Sequence, residues 1–274
     1  MKRLYICDLD GTLLSPEQLV TEETVRLLNE SIAKGAFFTF ATARTAASAV
    51  KITEGININV PCILMNGVSV YDIARKKYVK NEYLPAEKSA AVAELLDSLG
   101  QSGFMYKISE DKLSCEYTTL DSPEIYEFYR RRKDRYDKPF AQIKSFSDSC
   151  TDEVMYFTML DRYEKLDAVR KGAEKIGGLK YEFYRDIYSE NVWYLEIFSD
   201  RASKYNGVKF LREYCGFEHI TCFGDNLNDI PMFRASDVKI AVENAKPELK
   251  ELADEIILPN TENGVAVWLS ENYI

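Results

Sequence analysis

Leu4-Tyr5-Ile6-Cys7-Asp8-Leu9-Asp10-Gly11-Thr12-Leu13 carries an apolar run straight into two carboxylates set two positions apart. Such a run reads as a buried strand that delivers its charges at the strand's carboxyl end. Carboxylates there are poor packing material and good phosphate chemistry. The first can attack phosphorus, the second can exchange a proton, and the pair can share a magnesium ion. A plain strand-ending turn accounts for Asp10-Gly11 alone. A calcium loop counted from Asp8 needs an acidic or amide side chain at its fifth position and a glutamate at its twelfth. Thr12 and Leu19 stand there, so that reading fails.

Outward from this junction, the opening third alternates. The pattern predicts a helix over 22–34, capped by Thr21, begun by Glu22 and Glu23 and stopped by Gly35. A strand over 36–41 follows and runs into Thr42-Ala43-Arg44, then come a helix over 45–54 and a strand over 61–65. Asn66-Gly67 is a tight-turn signal, so 68–71 should fold back as a hairpin arm. Strand-helix-strand-helix-strand is the pattern of a parallel sheet covered by helices.

Beyond Pro85 the texture changes to helix-strand-strand units rich in tyrosine. Helices are expected over 86–99, 122–135 and 163–176, and strands over 104–108, 113–117, 154–160, 179–184 and 193–197. From Ser203 the alternation resumes with a helix to 214, the strand 220–223, a helix near 227–234 and the strand 238–241. A helix from Pro247, the strand 255–258 and a terminal helix over 264–269 complete it. The expected organisation is one core domain, residues 1–83 and 191–274, interrupted by an insert over 84–190.

Composition narrows the chemistry. The chain has 274 residues, 46% hydrophobic and 29% charged, ordinary for a soluble globular protein with room for two cores. No apolar stretch reaches the roughly 20 residues of a membrane helix, and the N-terminus turns acidic too early for a signal peptide. The six cysteines form no C-x-x-C pair, which suits free thiols in a reducing cytoplasm. A net charge of −9 argues against nucleic acid as a partner. The single histidine, His219, precedes the apolar run Ile220-Thr221-Cys222-Phe223 and reads as a strand-start residue. Acid chemistry therefore falls to carboxylates.

Three polar motifs each follow a predicted core strand: Asp8-x-Asp10, Thr42, and Gly224-Asp225-Asn226-Leu227-Asn228-Asp229. In an open parallel sheet, ligands bind beyond the carboxyl ends of the strands, so the fold would gather all three at one edge. Singly, Thr42 also reads as a helix cap and Gly224-Asp225-Asn226 as a turn. Lys204 begins the helix that re-enters the core, where a cation is unexpected because helix N-termini prefer anions. A solvated surface lysine is the alternative there.

This ordered set resembles the haloacid dehalogenase superfamily of phosphohydrolases, in its Cof-type branch with a large inserted cap. The resemblance covers the whole chain. Asp8-Leu9-Asp10-Gly11-Thr12-Leu13 matches the first motif and Gly224-Asp225-Asn226-Leu227-Asn228-Asp229 the last. Two motifs depart from the branch. Ala43 stands where glycine is usual, and Lys204 is followed by Tyr205-Asn206-Gly207 instead of directly by glycine. Both departures keep the functional side chain, and they bear on substrate more than on reaction type.

The resemblance implies an α/β fold with a Rossmann-like parallel-sheet core, helices on both faces, and an inserted α+β cap with an antiparallel sheet. It implies that Asp8 attacks phosphorus and carries an aspartyl phosphate, while Asp10 protonates the leaving alcohol and later takes a proton from water. Mg2+ would be held by Asp8, Asp10 (through its backbone carbonyl) and Asp225. Two unit charges 4 Å apart repel by about 4 kcal/mol at an effective dielectric of 20, or roughly three decades in rate. Lys204 and the metal would remove that penalty between nucleophile and phosphate. Thr42, the Ala43 amide and Asn228 would contact phosphoryl oxygens, and Asp229 would position Lys204 or a metal-bound water. The cap would choose the substrate and close the site to water.

Within the cap, Arg130-Arg131-Arg132-Lys133 could grip a second anion, although the acidic neighbours favour a solvated helix face. Its tyrosines could stack on a ring but more commonly pack. The expected partner is a small phosphorylated metabolite, most plausibly a sugar phosphate, handled by a cytoplasmic monomer or small homo-oligomer with no membrane or nucleic-acid partner. A phosphomutase using the same intermediate, or a noncatalytic sensor of phosphometabolites, are the alternatives. An ion pump is excluded by the missing membrane helices.

Overall fold

In the computed structural model, the residues described are 1–185 and 191–273. The chain divides into two compact units, one comprising Met1–Lys80 with Ser203–Ile274 and the other Asn81–Ala202. Among the described residues no helix is long and apolar enough to cross a membrane.

The first unit is built on a five-stranded parallel sheet. Its spatial order is Glu255–Ile257, Val238–Val242, His219–Gly224, Arg3–Cys7 and Phe37–Phe40. Leu4, Ile6, Phe38, Phe40, Ile220 and Phe223 are wholly buried. Each contributes about 1.5–3 kcal/mol by leaving water, which explains why the core strands read as continuous apolar runs. The Glu22–Ala33 helix packs against Gly264–Asn272, and Lys204–Cys215 packs against Ile230–Ala235. Thr21 caps the first of these helices by accepting the Thr24 amide at 3.0 Å.

From Arg3–Cys7 the chain proceeds to Phe37–Phe40 on one side, and on its return to His219–Gly224 on the other. The winding therefore reverses at the first strand, and the crevice at such a reversal is where open α/β sheets place ligands. Register makes this concrete. Cys7 lies opposite both Phe223 and Phe40, so Asp8, Gly224 and Ala41 leave the sheet at one level.

A hairpin follows the second core helix. Cys62–Leu64 pairs antiparallel with Ser69–Asp72, and Lys77–Asn81 adds a third strand. Its turn is left-handed at Met65, Asn66 and Gly67 (φ 48°, 54° and 97°). A Cβ on Gly67 would collide with the backbone of Ser203, so glycine there admits the returning chain.

The second unit carries a six-stranded sheet ordered Leu179–Arg185, Trp193–Ser199, Val154–Asp161, Phe104–Ser109, Lys112–Tyr117 and Phe140–Gln142. All pairs are antiparallel except the last. Helices Ala86–Leu99 and Tyr163–Ile176 pack together on one face. Residue 190, where the insert was expected to end, lies outside the described residues. The insert's sheet nevertheless runs past 191, because Trp193–Ser199 hydrogen-bonds between two strands of this unit. That places Trp193–Ser199 with the insert and not with the core.

Candidate active site

Asp8 leaves the sheet with its amide bonded to the Phe223 carbonyl at 3.0 Å, which seats it over the neighbouring strand. The next residues form a tight loop closed by the Leu14 amide on the Leu9 carbonyl at 2.9 Å. Leu9 and Leu13 are buried and pin the loop to the core. Gly11 takes φ +85°, and a Cβ there would overlap the Asp225 carboxylate. Asn244 Nδ2 donates to the Gly11 carbonyl at 2.7 Å, and Asn260 Nδ2 to that of Leu14 at 2.7 Å. Thr12 donates its hydroxyl to Asp225 Oδ1 at 2.9 Å, joining the first motif to the last across 213 residues.

Lys204 opens its helix, which Ser203 caps by accepting the Asn206 amide at 3.0 Å. It is not a surface lysine, for it is 2% exposed. Its Nζ donates to Asp8 Oδ1 at 2.5 Å and Asp229 Oδ1 at 2.6 Å. The helix dipole opposes a cation there by about 0.3–1 kcal/mol, whereas each hydrogen bond between charged groups contributes about 1.5–3. The carboxylates win. Burial alone would lower the Lys204 pKa, but Asp229 and Asp8 outweigh it and raise it.

Asp229 is fully buried, and its other oxygen accepts the amides of Asp225 and Asn226 at 3.0 and 3.1 Å. Asp8, Asp225 and Asp229 each offer an oxygen within 4.8 Å of the others. Burial pushes the Asp8 carboxyl well up, Lys204 opposes this, and the neighbouring aspartates add to it. Burial, then Asp229, lifts Asp225 to about 6. Three carboxylates around one ammonium leave negative charge uncompensated, and all the donors are hard oxygens. A divalent, oxygen-preferring cation fits that set, and magnesium is such a cation. Both Asp229 oxygens already have donors, which leaves Asp8 and Asp225 as the carboxylates open to a metal.

Thr42 is buried, with its amide on the Ile63 carbonyl at 2.9 Å. Its hydroxyl accepts the Arg44 amide at 3.2 Å and caps no helix, since the following helix begins after Thr45. Ala43 is exposed at the turn, and Asn228 is half-buried beside Asp229. His219 starts its strand opposite Arg3, at the end of the sheet away from the carboxylates. Asp10 diverges from the cluster. Its half-exposed carboxylate is held by Arg44, whose Nε and Nη2 reach it at 2.7 and 2.5 Å. Arg44, Gln18, Thr12, Asn244 and Asn260 were not singled out from sequence. Arg44 and Thr12 stand inside motifs already quoted, and the others leave no local signal.

The second unit holds its own buried polar group. Lys138 Nζ donates to the Tyr106 hydroxyl at 2.9 Å, and Tyr184 to Glu196 Oε1 at 3.3 Å. Burial pushes Glu196 up to about 7, against the hydroxyls of Tyr156 and Tyr184, and lowers Lys138 to about 8. Of the arginine run, Arg130 and Arg131 pair with Glu127 on an exposed helix face, while Arg132 lies 3.4 Å above the Phe128 ring.

Residues 5–269 match the haloacid dehalogenase-like hydrolases, and the chain belongs to that family, in its Cof-type branch. As an enzyme it is a hydrolase of phosphate monoesters. Pyridoxal phosphate phosphatase YbhA of Escherichia coli is 23% identical over 99% of both chains. The 5-amino-6-(5-phospho-D-ribitylamino)uracil phosphatase YwtE of Bacillus subtilis is 25% identical over 96% of both. The crystal structure of TM0651 from Thermotoga maritima superposes with a TM-score of 0.82 at 26% identity, covering 99% of this chain and 97% of that one.

Proposed function

We propose that this chain is a magnesium-dependent phosphatase that hydrolyses a small phosphorylated metabolite, a sugar phosphate, through an aspartyl phosphate on Asp8. The observation that carries this reading is the buried Asp8, hydrogen-bonded to Lys204 and beside Asp225 at the reversal of the parallel sheet. Lys204 donates to one Asp8 oxygen, which orients the carboxylate; that oxygen keeps a lone pair for the metal, and the other is left to attack. As the Asp8 oxygen bonds to phosphorus, the ester oxygen departs with a proton from Asp10. Water then attacks the same phosphorus and gives a proton to Asp10, the bond to Asp8 breaks, and inorganic phosphate leaves. Thr42 and the Ala43 amide face the transferring oxygens, Asn228 assists, and Asp229 keeps Lys204 charged and aimed. Asp8, Asp225 and the Asp10 carbonyl would hold Mg2+, which supplies Lewis-acid stabilisation of the phosphoryl oxygens.

Choice of ester falls to the inserted unit. Its buried Tyr106, Tyr156 and Glu196 carry hydroxyl and carboxyl groups of the kind that hydrogen-bond polyols, which supports a sugar. Hydrolysis of para-nitrophenyl phosphate with Mg2+, wild type against Asp8→Asn, tests the nucleophile, and equal rates would overturn it. A panel of sugar phosphates, nucleotides and phosphorylated cofactors scored by kcat/KM tests the substrate class. A preference for nucleotides or cofactors over sugars would overturn that part.

A further inference from the structure

Arg44 has no part in the phosphate-handling set above, yet its side chain fixes where Asp10 points. Nε donates to Asp10 Oδ2 at 2.7 Å and Nη2 to Oδ1 at 2.5 Å, with Nη2 also donating to Gln18 Oε1 at 3.0 Å. The Arg44 side chain is 15% exposed and that of Asp10 is 45% exposed. A carboxylate so open, on a loop beside a left-handed glycine, has little packing to select its rotamer. A planar two-point fork selects both position and orientation. The fork is itself anchored: the Arg44 amide donates to the Thr42 hydroxyl at 3.2 Å, and the Arg44 carbonyl accepts the Met65 amide at 3.1 Å. Asp10 is thereby tied to the turn that carries the phosphate-facing threonine.

We propose that Arg44 is the positioning residue for the acid/base Asp10, and not a ligand of the phosphoryl group. The inference rests on the reading of Asp10 given above. Two rival roles make different predictions. An idle surface pair would contribute nothing measurable to turnover. A phosphate ligand would contribute equally to every ester, whatever its leaving group.

Positioning an acid has a distinct signature. When the bond between phosphorus and the ester oxygen breaks, that oxygen needs the Asp10 proton in proportion to its basicity. Phenolate needs it strongly, 4-nitrophenolate less, and 2,4-dinitrophenolate hardly at all. Because kcat/KM covers steps only through departure of the leaving group, the later hydrolysis of the phosphoenzyme does not blur the comparison.

The test measures kcat/KM with Mg2+ on phenyl, 4-nitrophenyl and 2,4-dinitrophenyl phosphate for the wild type, Arg44→Ala, Arg44→Lys and Asp10→Asn. Positioned acids contribute 10²–10⁴-fold. Arg44→Ala should therefore lose at least about tenfold on phenyl phosphate and much less on the dinitrophenyl ester, steepening the dependence on leaving-group basicity. Arg44→Lys, with a point charge in place of the fork, should fall between. Asp10→Asn should show the same ordering, and adding Arg44→Ala to it should cost little more. Equal loss on all three esters by variants with unchanged thermal unfolding, or no loss on any, would overturn the proposal. If Asp8→Asn retains activity, the phosphatase reading itself fails, whatever Arg44 does.

Discussion

Replacing Lys204 with methionine preserves the stem of the side chain and removes its charge. The wild-type ammonium sits 2.5 Å from Asp8 and 2.6 Å from Asp229, and all three residues are buried. Breaking a buried ion pair from one side costs about 3–5 kcal/mol, because the partner's charge is left without compensation. Here two partners are abandoned. They can take up protons, which caps the loss near the upper end of that range. For a chain of this size 1 kcal/mol corresponds to roughly 2–4 °C, so the melting temperature of Lys204→Met should fall by about 6–20 °C at pH 7.5. The sign of the pH dependence follows. Burial already raises the Asp8 carboxyl, and loss of the opposing ammonium raises it further above its unfolded value, so the variant is relatively stronger at low pH and loses stability as pH rises through that value. Thermal unfolding followed by circular dichroism between pH 5 and 8 measures this. Adding Asp229→Asn to Lys204→Met should recover part of the loss. A melt within about 2 °C of wild type, or a deficit independent of pH, would show that the buried ammonium does not hold the two carboxylates together.

Gly11→Ala places a side chain at φ +85° against the Asp225 carboxylate. It should cost about 1–2 kcal/mol in urea unfolding and weaken magnesium activation as well, whereas loss of stability alone would show that the contact is incidental to the metal. With Asp225 titrating at about 6, a proton competes with the metal below that pH. The apparent Mg2+ dissociation constant, read by calorimetry, should rise about tenfold per pH unit below 6 and stay flat above 7. Glu196 carries a folded-state pKa of about 7, above the ordinary 4.5, so the folded chain holds the extra proton between those values and stability declines as pH rises across them. At about 1.4 kcal/mol per pKa unit the decline is roughly 3 kcal/mol, and Glu196→Gln should flatten it in urea melts between pH 4.5 and 8. Parallel curves for the two proteins would count against a buried, titrating Glu196.

What could be read from the sequence was local. Apolar runs ending in Asp8, Thr42 and Gly224 identify the strands and the edge they share, because burial on both faces leaves a continuous signal. The Asn66-Gly67 turn and the Thr21 cap are likewise short-range. Lys204 could be placed at a helix start, but its burial depends on Asp8 and Asp229, which lie 196 and 25 positions away. Asn244 and Asn260 support the first loop through bonds across more than 200 residues, and nothing near them in sequence marks that duty; Thr12 stands in the first motif, but its partner Asp225 lies 213 positions away. The Phe140–Gln142 strand spans three residues, two of them exposed, too few to show a period. Trp193–Ser199 was legible as a strand, but its membership in the inserted sheet depends on partners at 154–161 and 179–185.

Phosphoryl transfer through Asp8 requires a covalent acyl phosphate on that side chain. Borohydride added during steady-state turnover reduces an acyl phosphate to the alcohol, converting that aspartate to homoserine, which peptide mass spectrometry can locate. Homoserine at position 8, requiring both substrate and Mg2+, is the predicted result. Turnover without homoserine, or homoserine at Asp10 in place of Asp8, would contradict it.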